Sequence, residues 1–226
     1  MPRPLLLDLF CGAGGAGEGY RRAGFDVLGI DTRPQPRYQP GRFIQADALE
    51  WLEAALEHDA LRGLGIVAVH ASPPCQASSA LKTLWKDREH PELIPPTREL
   101  LVETGLPTVI ENVPGAALHE PIVLCGSMFG NGANGRQLRR HRLFEVNFPV
   151  MRPHCQHRGQ PVGVYGHGGG GDMTRGYKGT KAEYQEAMEM PWATKAEIAQ
   201  AIPPSYTEHL GEALMIEIAQ RLTPVQ

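Results

Sequence analysis

The chain has 226 residues, 42% of them hydrophobic and 21% charged, with a net charge of −3. That length suits one globular domain, or one domain with a small appendage, and the charge excludes an overall basic signature for nucleic acid while allowing a local basic face. The run M-P-R-P-L-L-L-D-L-F is too short for a signal peptide, no run approaches ~20 apolar residues, and four widely spaced cysteines do not suit a disulfide framework. A chain with reduced thiols, no membrane span and a cytoplasmic location is expected.

Leu5 to Phe10 reads as a buried parallel strand interrupted only by Asp8. C-G-A-G-G-A-G-E-G-Y follows, where glycines let the backbone turn tightly or approach a ligand. Glu18 to Ala23 reads as a helix closed by Gly24. Strand, glycine loop and helix make the nucleotide-binding start of a doubly wound α/β fold, although a plain βα turn can look the same. No phosphate-binding lysine follows the glycines, which argues against a P-loop.

Phe25 to Ile30 reads as a second strand with Asp31 at its carboxyl end, placed to meet ribose hydroxyls. Arg42 to Ala46 reads as a third, ended by Asp47, which could meet an adenine amino group. A helix is expected over Ala48 to Leu61, with Leu49, Leu52, Leu56 and Ala60 on one face. Ile66 begins a fourth strand. Ser72, Pro73 and Pro74 stop it, because proline cannot donate to a ladder and biases the preceding residue away from helix. Cys75 is thereby delivered to the carboxyl edge of the sheet, where open α/β sheets bind ligands. An isolated cysteine is more often a buried structural residue.

Residues 77 to 92 show little periodicity and carry Lys82, Trp85, Lys86 and Arg88. They read as a mobile loop of the kind that covers a site, although ordinary solvated loops look the same. A helix is expected over Thr97 to Thr104 and a strand over Thr108 to Ile110, which leads into E-N-V-P-G and places Glu111 at another strand end. Residues 121 to 148 read as two strands joined by a glycine- and asparagine-rich turn. Alternation there sets Arg140 and Arg142 on one face and Leu143 opposite. Two guanidiniums so placed suit phosphate or base edges.

Composition shifts at Pro149 toward Gly, His and Pro, with a flexible H-G-G-G-G tract. His154, Cys155 and His157 offer three metal ligands without a fourth, so no metal site is expected. Helices are expected over Lys181 to Met188, Lys195 to Ala201 and Tyr206 to Arg221.

D-L-F-C-G-A-G-G at 8–15, P-P-C-Q at 73–76, E-N-V at 111–113 and R-H-R-L-F at 140–144, in that order, resemble the DNA cytosine carbon-5 methyltransferases, in the compact form that bacteriophages encode. The resemblance covers residues 5 to 148 and, loosely, the last helix. It implies a doubly wound, Rossmann-like S-adenosylmethionine-dependent methyltransferase fold with a small irregular recognition region. The implied division is a catalytic domain at 1–148, a recognition region at 149–197, and a carboxyl-terminal helix at 198–226 that packs back on the first.

By the same resemblance, Phe10, Gly12, Gly14 and Pro73 would contact S-adenosylmethionine, Asp31 its ribose and Asp47 its adenine. Cys75 would be the nucleophile, Glu111 the partner of cytosine N3 and the exocyclic amine, and Arg140 and Arg142 the pair that holds the flipped base and the loop. The implied substrate is double-stranded DNA with the target cytosine extruded. The enzyme would act as a monomer in the cytoplasm of a bacterium or a phage-infected host cell.

Three departures stand out. Gln137 lies one position too early for the family's glutamine, Ser78 replaces the usual aromatic, and A-Q-A-I-P-P-S-Y stands where the family has Gly-Asn. Two alternatives therefore stay open. One is the same fold acting on a free cytosine nucleotide or with a modified donor. The other is a catalytically silent DNA-binding protein.

Overall fold

The computed structural model describes residues 2–74, 92–164 and 176–222. The proposed nucleophile Cys75, the loop to residue 91 and the H-G-G-G-G tract lie outside the described residues.

A seven-stranded sheet runs in the order β3-β2-β1-β4-β5-β9-β6. Its strands are β1 (Leu5–Leu9), β2 (Asp26–Asp31), β3 (Arg42–Gln45), β4 (Ile66–Ala71), β5 (Thr108–Asn112), β6 (Ile122–Leu124) and β9 (Arg142–Val146). The first five are parallel, and β9 enters antiparallel between β5 and β6. The order reverses at β1, between β2 and β4, which is the switch point where such sheets open a crevice. The expectation of a doubly wound α/β fold is met.

The strands bury both faces, so alternate residues serve different layers. Leu5, Leu7 and Leu9 pack with Leu28, Ile30, Leu52 and Leu101 under α2 (Ala48–Glu57), α3 (Ala60–Leu64) and α4 (Ile94–Glu103). Leu6 and Val27 point the other way, to Tyr20 of α1 (Gly15–Ala23) and Tyr206 and Leu210 of α7 (Pro204–Leu222). This second face also carries the polar residues that matter below, because Asp8, His70 and Glu111 share the parity of Leu6, Ala68 and Val109.

Helix α7 lies directly on α1. A Cβ on Gly19 would fall 2.1 Å from the Pro204 carbonyl oxygen and 2.1 Å from Thr207 Oγ1, so the contact admits only glycine. The Thr207 hydroxyl donates to the Ala16 carbonyl at 2.8 Å. A third, smaller core joins Leu138, Val162, Tyr184 of α5 (Lys181–Ala187), Met190 and Ile198 of α6 (Lys195–Gln200) to Ala13 of the glycine loop.

Four expectations need correction. The helix expected over 48–61 is two helices, because Asp59 adopts a left-handed φ of 50° and breaks the run. Helix α1 begins at Gly15, inside the glycine loop, since Gly14 at φ 82° already makes the turn. The segment 121–148 holds four short strands, including the hairpin of β7 (Gly132–Ala133) and β8 (Arg136–Gln137). Arg140 and Arg142 do not share a strand face. Strand pairing begins only at Arg142, and residues 139–141 belong to no strand, so the alternation does not extend to Arg140.

Candidate active site

The carboxyl ends of β1, β2, β4 and β5 meet around the switch point. After Leu9 the chain turns at once, with Phe10 at φ 58° and Gly12 at φ 50°. A left-handed phenylalanine is costly, and such residues gather at ligand sites. Asp31 locks the turn: its Oδ2 accepts from the Gly12 amide at 2.9 Å and its Oδ1 from the Arg33 amide at 2.9 Å. Asp47 caps α2 through Oδ1, which accepts from Leu49 and Glu50 at 2.9 and 3.2 Å. Its Oδ2 has no hydrogen-bond partner among the described residues.

Two neighbouring glycines face opposite environments. A Cβ on Gly14 would strike Pro40 at 2.7 Å and Tyr38 at 3.0 Å, while one on Gly12 would meet nothing within 4 Å. The 33–41 segment thus seals one side of the loop and leaves the Gly12 side open. Beneath it, Asp8 is fully buried and neither carboxylate oxygen finds a side-chain partner. Burial first, and then the charge of Asp31, push its carboxyl up to about 8. Burial likewise pushes the Cys11 thiol far up, with the charges of Asp8 and Asp31 adding to it. Cys11 is a packing residue of the loop.

On the other side of the crevice a polar chain runs through the buried face. The Tyr20 hydroxyl meets His70 Nδ1 at 2.9 Å, and His70 Nε2 meets the Ser72 hydroxyl at 2.8 Å. Ser72 in turn hydrogen-bonds Glu111. Burial alone drives His70 down to about 3, so it is neutral at physiological pH. Glu111 ends this chain, buried, with Oε1 3.1 Å from Arg142 Nε. Its carboxyl is raised by burial against the opposing pull of Arg142, Ser72 and Arg140. Desolvation therefore wins, and the proton stays on this carboxyl to a higher pH than on an exposed glutamate.

Next to it, the Asn112 amide donates to the Pro73 carbonyl at 3.0 Å, and Asn112 Oδ1 accepts from the Val113 amide. Asn112 of β5 thus holds Pro73, just after β4. The structure brings Glu111, Arg142 and Pro73 together, as it brings together Phe10, Gly12, Asp31 and Asp47. Arg140 is near enough for its charge to act on Glu111, and its guanidinium also donates to the carbonyls of Ala201, Val164 and Ala199 at 3.1, 3.0 and 2.6 Å. Those bonds tie β9 to the segment before α7, and the Trp192 indole ties the same region to the glycine loop by donating to the Ala13 carbonyl at 2.9 Å.

Sequence reading did not single out His70 or Asn112, and it gave Ser72 only the task of ending a strand. The signal for His70 and Ser72 was present: a histidine inside an apolar strand, two residues before a serine, stands on one face and must find partners.

No family model matches the chain. Over 81 residues it is 36% identical to the type II methyltransferase M.AgeI of Thalassovita gelatinovora, a match covering 32% of this chain and 19% of that protein. The matched stretch is about a fifth of the relative's length. Among solved structures it is similar to a prophage-encoded protein of E. coli described provisionally as a DNA modification methyltransferase (TM-score 0.61, 15% identity). It is also similar to the Dnmt2 methyltransferase of S. pombe (0.57, 13%) and the methyltransferase EhMeth of Entamoeba histolytica (0.57, 12%). Each of these three covers 96% of this chain and 99% of its own. At those identities the likeness is one of fold: a mostly parallel, Rossmann-like sheet.

Proposed function

We propose that this chain is an S-adenosylmethionine-dependent DNA cytosine carbon-5 methyltransferase with Cys75 as nucleophile. The observation that carries the reading is the hold of β5 on the end of the β4 strand: buried Glu111, paired with Arg142, lies one residue from Asn112, which donates to the Pro73 carbonyl two residues before Cys75. The partial identity to a type II methyltransferase and the shared methyltransferase fold point the same way.

The residues of the crevice fit the cofactor. Carboxylates Asp31 and Asp47 lie at the end of β2 and the start of α2. They suit a cationic amino acid and hydroxyl groups and disfavour a pyrophosphate. Gly12 leaves open space where backbone must approach a ligand. In this reading Phe10, Gly12, Gly14 and Pro73 shape the cofactor's bed, Asp31 meets its ribose, and Asp47 meets its adenine through Oδ2, which has no partner among the described residues. When bound, S-adenosylmethionine supplies an electrophilic methyl group.

The chain's residues do the rest. Cytosine carbon-5 is a poor nucleophile, and the base must first leave the stack. The Cys75 thiolate adds to carbon-6, forming an S–C bond and moving the ring's electron pair toward carbon-5. Glu111 shares its proton with N3 and so accepts the charge that develops there. Carbon-5 then takes the methyl group. Loss of its proton to a base reforms the double bond as the S–C bond breaks and the Cys75 thiolate leaves. Arg142 holds the Glu111 carboxyl beside Ser72. Arg140 adds its charge near Glu111 and also anchors the start of the strand that presents Arg142.

Residues 149–197, with the loop 80–92, form the DNA-facing side in this reading, and 198–226 brace the catalytic domain through α7. A labelled-donor assay comparing duplex DNA with dCMP tests the substrate. Methyl transfer to duplex is expected. Transfer to dCMP alone would establish the free-nucleotide alternative, and transfer to neither would favour the silent DNA-binding protein.

A further inference from the structure

Four side chains that play no part in the site above converge beyond the antiparallel edge of the sheet. The ligand atoms of Cys125, His141, Cys155 and His157 all lie within 4.8 Å of one another. Cys125 Sγ is 3.4 Å from His157 Nε2, and Cys155 Sγ is 3.4 Å from His141 Nε2. The two imidazoles stand edge to face with centroids 5.1 Å apart. A tetrahedral zinc with ordinary Zn–S and Zn–N bonds has S···N edges of about 3.5 Å. We propose that these four residues bind one Zn2+ in a closed Cys2His2 structural site.

The topology explains the convergence. Cys125 follows β6 and His141 precedes β9, and those strands pair with Leu124 opposite Arg142, so the two ligands are brought together by register. Cys155 and His157 come from the stretch after β9. From Met151 to Arg158 that stretch has no helix or strand, and only Pro153 is not exposed. It buries too little to hold itself, and a metal staple supplies what packing does not. Two separate thiol–imidazole hydrogen bonds would explain each pair alone, but not the meeting of both pairs at one point.

The donor set selects the ion. Two sulfurs and two imidazole nitrogens in a tetrahedron suit zinc. All four positions are taken by protein, which makes the site structural. Binding releases two protons from the thiols, and two thiolates neutralise the ion. The Ser127 hydroxyl, 3.4 Å from Cys125 Sγ, is placed to donate to the thiolate, as groups outside a ligand shell commonly do. His141 lies between Arg140 and Arg142, so its ligation would fix the start of the strand that reaches Glu111. His154, expected with the others from the sequence, is not in the cluster.

The test is metal content, which is independent of catalysis. The full chain, expressed with zinc and dialysed under reducing conditions, should carry one zinc ion per chain by mass spectrometry of the digested protein. Cys155→Ser and His157→Ala should lose it, and His154→Ala should keep it. In the wild type, alkylation should spare Cys125 and Cys155 until a chelator is added. Chelator-treated chain given Co2+ should develop thiolate-to-cobalt charge transfer and tetrahedral d–d bands. Wild-type protein without zinc after zinc addition, or with Cys125 and Cys155 alkylated as readily as in chelator, would overturn the proposal. So would a Cys125–Cys155 disulfide that persists under those conditions, or full zinc content in Cys155→Ser.

Discussion

The side-chain amide of Asn112 donates to the carbonyl oxygen of Pro73 at 3.0 Å, two residues before Cys75. One hydrogen bond thus joins the two strand ends on which the proposed chemistry depends. Asn112→Ala should lower the rate of methyl transfer by about 100-fold, the cost of a reacting group displaced by an ångström. Affinity for S-adenosylmethionine, measured by calorimetry, should stay within a few-fold. Asn112→Asp should be worse, since it turns an acceptor toward a carbonyl. Unchanged turnover in Asn112→Ala would separate this residue from the nucleophile's placement.

Glu111 is raised by burial while Arg142 and Ser72 pull it down. If its protonated form serves N3, activity falls as pH rises through its pKa, and removing either partner moves that alkaline limb to higher pH. Ser72→Ala and Arg142→Gln should both shift the limb upward in a pH profile of kcat/KM. Glu111→Gln should lose about 10²- to 10⁴-fold in rate and show no such limb. A downward shift in Ser72→Ala would contradict the role given to Glu111.

Asp8 and His70 set opposite stability slopes. His70 is depressed to about 3, so the unfolded chain binds its proton first and stability is lost as pH falls below about 6.5. Asp8 is raised to about 8, so the folded chain keeps a proton that the unfolded chain releases near 4. Stability from this group falls as pH rises from about 4 to about 8. Between pH 6.5 and 8 only the Asp8 effect remains, at up to about 1.4 kcal/mol per pH unit. Urea unfolding of the cofactor-free protein should show that decline, and Asp8→Asn should flatten it.

Gly19→Ala should destabilise the protein by about 3 kcal/mol, because its Cβ would meet the backbone of α7 at 2.1 Å and that helix cannot retreat from its own core residues. Thermal unfolding should drop by about 6–12 °C. Gly12→Ala tests the contrast: its Cβ meets nothing, so beyond the strain of a φ of 50° its effect should fall on cofactor affinity. A normal melting temperature in Gly19→Ala would mean that α7 is not seated as described.

The parallel strands, their polar carboxyl ends and the closing helix were legible because short apolar runs broken by glycine, proline or an acid leave few alternatives. Boundaries failed where backbone conformation decided them, at Asp59 and Gly14. Arg140 was read as a strand residue because alternation was extended across residues 139–141, which belong to no strand. The Asn112–Pro73 bond spans 39 residues, and Cys125 is separated by 30 residues from Cys155. Contacts between strand ends and loops follow from sheet order, which local patterns do not carry. His70 and Ser72 were readable as a same-face pair, but their chain to Tyr20 and Glu111 required the register of β4 against its neighbours.

The claim that Cys75 carries the chemistry is tested by trapping. A cytosine with fluorine at carbon-5 has no proton to lose there after methyl transfer, so the S–C6 bond cannot break and the enzyme stays attached to its substrate. Full-length protein incubated with S-adenosylmethionine and duplex DNA containing 5-fluorocytosine should form a stable covalent complex, and peptide mass spectrometry should place the adduct on Cys75. Cys75→Ser should form none while still binding the cofactor. An adduct on Cys11, Cys125 or Cys155, or methylated DNA produced by Cys75→Ala, would contradict the account.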